Sequence, residues 1–201
     1  MTRRVKLTQQ SQIQRKKKSS NSMTSTKQNN ERDQEGCFTF TVEKKGETNA
    51  TKQTLRLDRF EHSILQITQL MCQSYAHPHS HAWENALLMS KERFGTIGGG
   101  VVATAVLELL NALRKSRRTT FKFTNPFCPC CRASVSECEM RLLAIINGKR
   151  TAQNQRVQME AVILCEGFPA QKFLDSVDAL IGTFEGLVQI AEKLSPDPLP
   201  S

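Results

Sequence analysis

No apolar run in this 201-residue chain reads as a membrane span. The basic N-terminus is followed by no apolar stretch, which excludes a secretory signal. It also lacks the apolar side chains that the amphipathic face of a mitochondrial presequence needs. Missing too are the Gly-Lys-Ser/Thr ending of a P-loop and the Gly-x-Gly-x-x-Gly spacing of dinucleotide folds. Gly95-Thr-Ile-Gly-Gly-Gly100 instead reads as a flexible lead-in to a helix, with no strand before it. No nucleophile, base and orienting group can be assembled, so neither catalysis nor a small-molecule substrate is expected. Glu137, Glu139, Glu160 and Glu166 read as helix caps and solvated faces. There is no internal repeat.

What is present begins with charge. The formal net charge is +9, but residues 1–36 hold nine Lys/Arg against three Asp/Glu, leaving only +3 for the rest. Basicity therefore belongs mostly to a tail rich in Lys, Gln, Ser, Asn and Thr, whose apolar content is too low to offset the entropy of ordering it. Arg15-Lys16-Lys17-Lys18 within it could meet phosphates, although a solvated solubilising tail is the simpler reading, and Met23 offers an internal alternative start. Residues 37–56 form a poorly defined lead-in, with the alternation of Cys37-Phe-Thr-Phe-Thr-Val42 suggesting a short strand.

From residue 57 to 195 the apolar spacing becomes helical. Phe60, Ile64, Ile67 and Met71 mark a first helix over 57–74, broken near Pro78. A second over 82–94 is expected to bury Trp83, Leu87 and Phe94, with Gly95 as its cap. A third follows Gly98-Gly99-Gly100, with Val102, Val106, Leu109, Leu110 and Leu113 inward and basic residues at its end. Residues 119–123 read as a short extended segment. Ser136 and Glu139 make a capping box for a fourth helix with Met140, Leu143 and Ile146 inward, closed by Asn147-Gly148. A fifth spans 152–166. In the sixth, from Pro169, residues Phe173, Val177, Leu180, Phe184, Leu187, Ala191 and Leu194 alternate steps of four and three. That seam can pack within the monomer, the favoured reading, or form a homodimer. A Pro-rich end, 196–201, follows. The expected fold class is all-α, an array of about six helices with a cysteine-rich loop between helices and a disordered N-terminal tail.

That loop, 124–138, carries Cys128, Cys130, Cys131 and Cys138. Four thiolates suffice for a tetrahedral zinc site, and in a reducing cytoplasm clustered cysteines are more often metal-binding or redox-active than disulfide-bonded. Adjacent Cys130 and Cys131 do not share one ion comfortably, so three of the four thiols plus a distant ligand are expected. His77, His79 and His81 are the candidates for that ligand, His81 serving more simply as a helix start. Cys138, at the second residue of its helix, lies where free N–H groups favour a thiolate. A redox protein or sensor pairing Cys138 with Cys130 or Cys131 is one alternative. Cys72 and Cys165 read as core residues, and Cys37 has no evident partner.

A second alternative is a nucleic-acid interface. Arg114, Lys115, Arg117, Arg118 and Lys122 precede the loop, with Arg132, Arg141, Lys149 and Arg150 after it. Phe121, Phe123 and Phe127 could stack on bases, though an apolar floor beneath the loop is the better reading.

Trp83, Phe94-Gly95, Arg114 to Arg118, Cys128 to Cys131 and Ser136 to Glu139 together carry a resemblance. The run from Trp83 to Leu143 resembles a set of small helical proteins of alphaproteobacteria with a Trp-bearing helix, a Phe-Gly turn, a basic helix end and a cysteine-bearing loop. It covers less than half the chain, and the basic tail departs from its pattern. The resemblance implies the helical fold and no function. The reading from the residues is thus a small cytoplasmic helical protein holding a structural zinc, regulatory or adaptor-like, acting through a protein partner or its own dimer.

Overall fold

Asp58 opens the helical part of the chain. Its carboxylate accepts the N–H of Glu61 at 2.7 Å, and the Glu61 carboxylate accepts the N–H of Asp58 at 3.1 Å, a reciprocal cap for two otherwise unpaired donors. The computed structural model describes residues 40–42, 50–51 and 55–194. The tail over 1–36, its basic run, Cys37 and the Pro-rich end lie outside the described residues.

Six α-helices and four short strands appear among the described residues. In chain order they are β1 (Phe40–Val42), β2 (Ala50–Thr51), α1 (Arg59–Ala76), α2 (Ala82–Phe94), α3 (Thr96–Lys115), β3 (Phe121–Phe123), β4 (Ser134–Val135), α4 (Glu137–Arg150), α5 (Asn154–Leu164) and α6 (Gln171–Leu194), with a single 3-10 turn at Pro78–Ser80 before α2. The class is helical, as the periodicity predicts. β1 runs parallel to β3, Phe40 opposite Phe121 and Val42 opposite Phe123. β2 pairs antiparallel with β4, Ala50 opposite Val135. The cysteine loop between β3 and β4 thus has a ladder at each end.

The core centres on α3, which packs against α1, α2 and α6. Its inner face is the expected one, with Val102, Val106, Leu109, Leu110 and Leu113 all buried. α1 adds Phe60, Ile64, Ile67 and Leu70, and α6 adds Phe173, Val177 and Leu180. The α6 seam packs within the monomer over this stretch. Phe184 stacks on Phe60 with ring centroids 4.1 Å apart, while Val188 and Ile190 are exposed. Cys72 and Cys165 are core residues, fully buried.

Three expectations change. The glycine run does not precede α3 but lies within its first turns, and only Gly95, at φ +79°, makes the corner with α2. A Cβ on Gly99 would stand 2.5 Å from the backbone N of Lys91, so the glycine lets the two helix backbones touch. Ser90 Oγ donates to Gly99 O at 2.7 Å across that contact. The second change follows from the first. At this separation α2 can turn only small residues inward, so Ala82, Ala86 and Ser90 are buried and Trp83 is 46% exposed. Thirdly, α4 runs through Asn147-Gly148 to Arg150, because Gly148 is buried against Val157 of α5 rather than ending the helix.

α3 is also long and apolar enough to cross a membrane by length and composition alone, where the sequence reading found no such run. Half of its apolar window is buried inside the protein, as befits a core helix.

Candidate metal centre

β3 delivers the chain to the cysteine loop from inside the core. Phe121 and Phe123 are buried, the apolar floor expected of them, with exposed Lys122 between, whereas Phe127, expected in the same floor, is exposed on the loop. Beyond Thr124 the backbone winds through successive tight turns. Asn125 Oδ1 accepts the N–H of Phe127 at 2.9 Å, the side-chain mimic of a turn that Asn favours. Cys128 O then accepts from Cys131 N at 3.1 Å and Arg132 N at 2.9 Å, and Cys131 O accepts from Ser134 N at 2.7 Å. Pro129, with no N–H to place, fits a position from which these turns take no donor.

This winding gathers three sulfurs, and adjacent Cys130 and Cys131 are both among them, contrary to the expectation that these two would not share a site, because the tight turns fold both side chains toward Cys128. Cys128 Sγ lies 3.0 Å from Cys130 Sγ and 3.1 Å from Cys131 Sγ, and Cys130 and Cys131 are 3.7 Å apart. Cys130 is exposed and the other two are half-buried. Four-coordinate zinc with Zn–S bonds of about 2.3 Å sets its sulfurs about 3.7 Å apart, so one pair already has that spacing and the others need open by under ~1 Å. Hydrogen bonds with Cys130 and then Cys131 pull the Cys128 thiol down to about 7. The same contact with Cys128 pushes Cys131 up to about 12. Of these two thiols, Cys128 therefore loses its proton first, and hydrogen bonds from its neighbours steady the thiolate.

The loop is anchored beneath by one carboxylate. Glu139, fully buried in the first turn of α4, accepts Ser136 N at 2.7 Å to complete the expected capping box. It also accepts Thr124 N at 3.1 Å, Thr124 Oγ1 at 3.0 Å and Gln69 Nε2 at 2.9 Å. Both ends of the cysteine loop and α1 therefore meet at one side chain. Burial raises its pKa, and the hydrogen bonds, Ser136 foremost, oppose that rise. The capping-box spacing locates Glu139 in sequence but does not show that it is buried, and its role as an anchor was missed.

The remaining predicted ligands lie elsewhere. Among the described residues no fourth His, Cys, Asp or Glu joins the three thiols within 4.8 Å. Cys138 is the second residue of α4, as expected, but packs against the main core and accepts from Arg117 Nη1 at 3.8 Å. It is paired with neither Cys130 nor Cys131. The His77 backbone N–H caps the end of α1 on Gln73 O at 2.8 Å, and His79 sits in the following 3-10 turn. His81 takes φ 49° as the cap residue of α2, with Nδ1 3.6 Å from Glu84.

The basic residues divide. Arg117 is turned inward, its side chain 7% exposed, donating to Thr119 O at 2.9 Å and pairing with Glu166 at 3.2 Å. Arg114 and Arg118 are exposed and lie over the Tyr75 and Phe168 rings, at 6.0 and 4.7 Å. Lys115 and Lys122 are exposed. Arg141 bridges Glu137 and Glu160 at 2.6 and 2.9 Å.

A groove of about 710 Å³ lies between α1, α2 and the loop, lined among others by Gln66, Asn85, Leu88, Met89, Phe127 and Arg132. Phe127 and Arg132 bracket the three thiols in the chain. No family model, curated protein or solved structure matches this chain.

Proposed function

We propose that this protein binds one thiophilic metal ion, zinc first among them, through Cys128, Cys130 and Cys131. The observation that supports this reading is the convergence of three sulfurs within 3.7 Å of one another on a loop whose two ends are fixed by Glu139. Soft thiolates select zinc or copper(I) over the hard cations that oxygen ligands hold. The ion would cross-link a short loop on a helical scaffold, and the protein's role is regulatory or adaptor-like rather than catalytic. The cytoplasm is the compartment that suits it, because free clustered thiols persist where glutathione keeps them reduced.

The test is the zinc content of untagged, full-length protein and of four variants. One equivalent is expected in the wild type, lost in Cys128→Ser, Cys130→Ser and Cys131→Ser and kept in Cys138→Ser. A wild type without bound zinc after loading under reducing conditions overturns the proposal.

A further inference from the structure

We infer that Cys128 and Cys131 are also a redox pair, which hydrogen peroxide closes into a disulfide, so that oxidation removes two of the three thiolates and releases the ion. The release rests on the metal-binding reading above, while the disulfide stands on the geometry of the loop alone. Cys128 is the hub of the cluster, its sulfur lying 3.0 Å from that of Cys130 and 3.1 Å from that of Cys131. A disulfide needs sulfurs about 2.05 Å apart and Cα atoms roughly 4.4–6.8 Å apart. The Cys131 N–H donates to Cys128 O at 3.1 Å and closes residues 128–131 into a turn. The ends of such a turn lie within about 7 Å of each other, so the backbone brings both cysteines into disulfide range. Pro129 takes the second position of that turn, where its fixed φ is favoured.

The other pairings fit less well. Cys130 and Cys131 are adjacent, and their Cα atoms, about 3.8 Å apart as in any trans peptide, are too close for an unstrained bond. A Cys128–Cys130 ring would enclose only Pro129, the stiffest residue available. Cys130 is also exposed, whereas Cys128 and Cys131 are both half-buried. Cys138 packs against the main core and is engaged by Arg117. Glu139 holds the loop at Thr124 and Ser136, outside the turn, so the ring closes without pulling on the core.

The Cys128 sulfur attacks one oxygen of the peroxide and the O–O bond breaks. Cys128 becomes a sulfenic acid, and its thiol proton leaves in a first water. The Cys131 sulfur then displaces the hydroxyl from Cys128, which leaves with the Cys131 proton as a second water. Two electrons pass from the sulfurs to the peroxide. With zinc bound, the two protons come from the buffer and Zn2+ departs unreduced. A disulfide is no longer the thiolate that metal binding requires, and a dithiol reductant restores it by exchange.

The experiment treats full-length, reduced, zinc-loaded protein with one equivalent of hydrogen peroxide. Free thiols are alkylated with one label, disulfides are reduced and alkylated with a second, and released zinc is read with a chromogenic chelator. The second label is expected on Cys128 and Cys131 and the first on Cys130 and Cys138, with one zinc released and recaptured after reduction. Cys130→Ser should still close the disulfide, and Cys128→Ser should lower its yield at least ~tenfold, since only the strained adjacent pair remains. The second label on Cys128 with Cys130, a disulfide-linked dimer, or sulfinic acid in place of any disulfide overturns the pairing. Zinc retained by the oxidised protein overturns the release. A protein that takes up no zinc yet closes Cys128 on Cys131 overturns the metal-binding reading, and the release with it, while the redox pair stands.

Discussion

The Glu139 carboxylate accepts both the backbone N–H and the hydroxyl of Thr124, at 3.1 and 3.0 Å, from the first turn of the next helix. Fifteen residues separate the two, and the cysteine loop is what lies between them. With Ser136 N on the same carboxylate, both ends of the loop are fixed at one point. Such a clamp lets a surface loop hold three sulfurs together without being buried itself.

Glu139→Gln should therefore destabilise the fold. An amide can still accept from Gln69 and Thr124 N, but its NH2 then faces the N–H of Ser136, leaving a buried donor unpaired at a cost of about 1–3 kcal/mol. Urea denaturation measures this. The pH dependence gives a second readout. Burial raises the Glu139 pKa above the ordinary 4.5, so the folded state holds its proton longer than the unfolded state does. The stability this contributes is present below about 4.5 and is lost as pH rises through the folded value. The Gln variant cannot titrate there, so the wild-type advantage should shrink as pH rises through that window. A constant difference would contradict the shift.

Gly99 and Gly100 offer a paired test of the α2–α3 contact. A methyl group on Gly99 meets the Lys91 backbone at 2.5 Å and cannot be relieved by moving a side chain, so Gly99→Ala should cost at least ~1–3 kcal/mol. Gly100 has open space around its Cβ position, and Gly100→Ala should gain up to about 1 kcal/mol of helix propensity. Thermal unfolding of the two variants should shift in opposite directions.

In metal-free reduced protein, Cys128 and Cys131 should not titrate alike. Alkylation of Cys128 should rise with pH around about 7, and that of Cys131 should stay slow until far more alkaline pH, since its thiol is pushed up to about 12. A shared profile centred on the ordinary value of 9.0 would contradict the charge sharing.

The elements legible in sequence are those set by local periodicity. The four-three spacing of α6, the inner face of α3 and the Ser136–Glu139 cap all follow from residues a few positions apart. What escaped depends on how elements meet. Trp83 looks like a core residue until the Gly99 contact turns the small face of α2 inward. Glu139 looks like a solvated cap until Thr124 and Gln69 are seen to converge on it. The sequence suggests that three of the four cysteines act together but not which three; the turns around Cys128 O bring Cys130 and Cys131 to Cys128 and leave Cys138 on α4.

The most direct measurement of the metal centre is alkylation of each cysteine, read residue by residue by mass spectrometry, with and without zinc. The account predicts that zinc protects Cys128, Cys130 and Cys131 together, at one equivalent, and leaves the rate at Cys138 unchanged. Protection of Cys138 alongside the other three, or no protection of any, would contradict it.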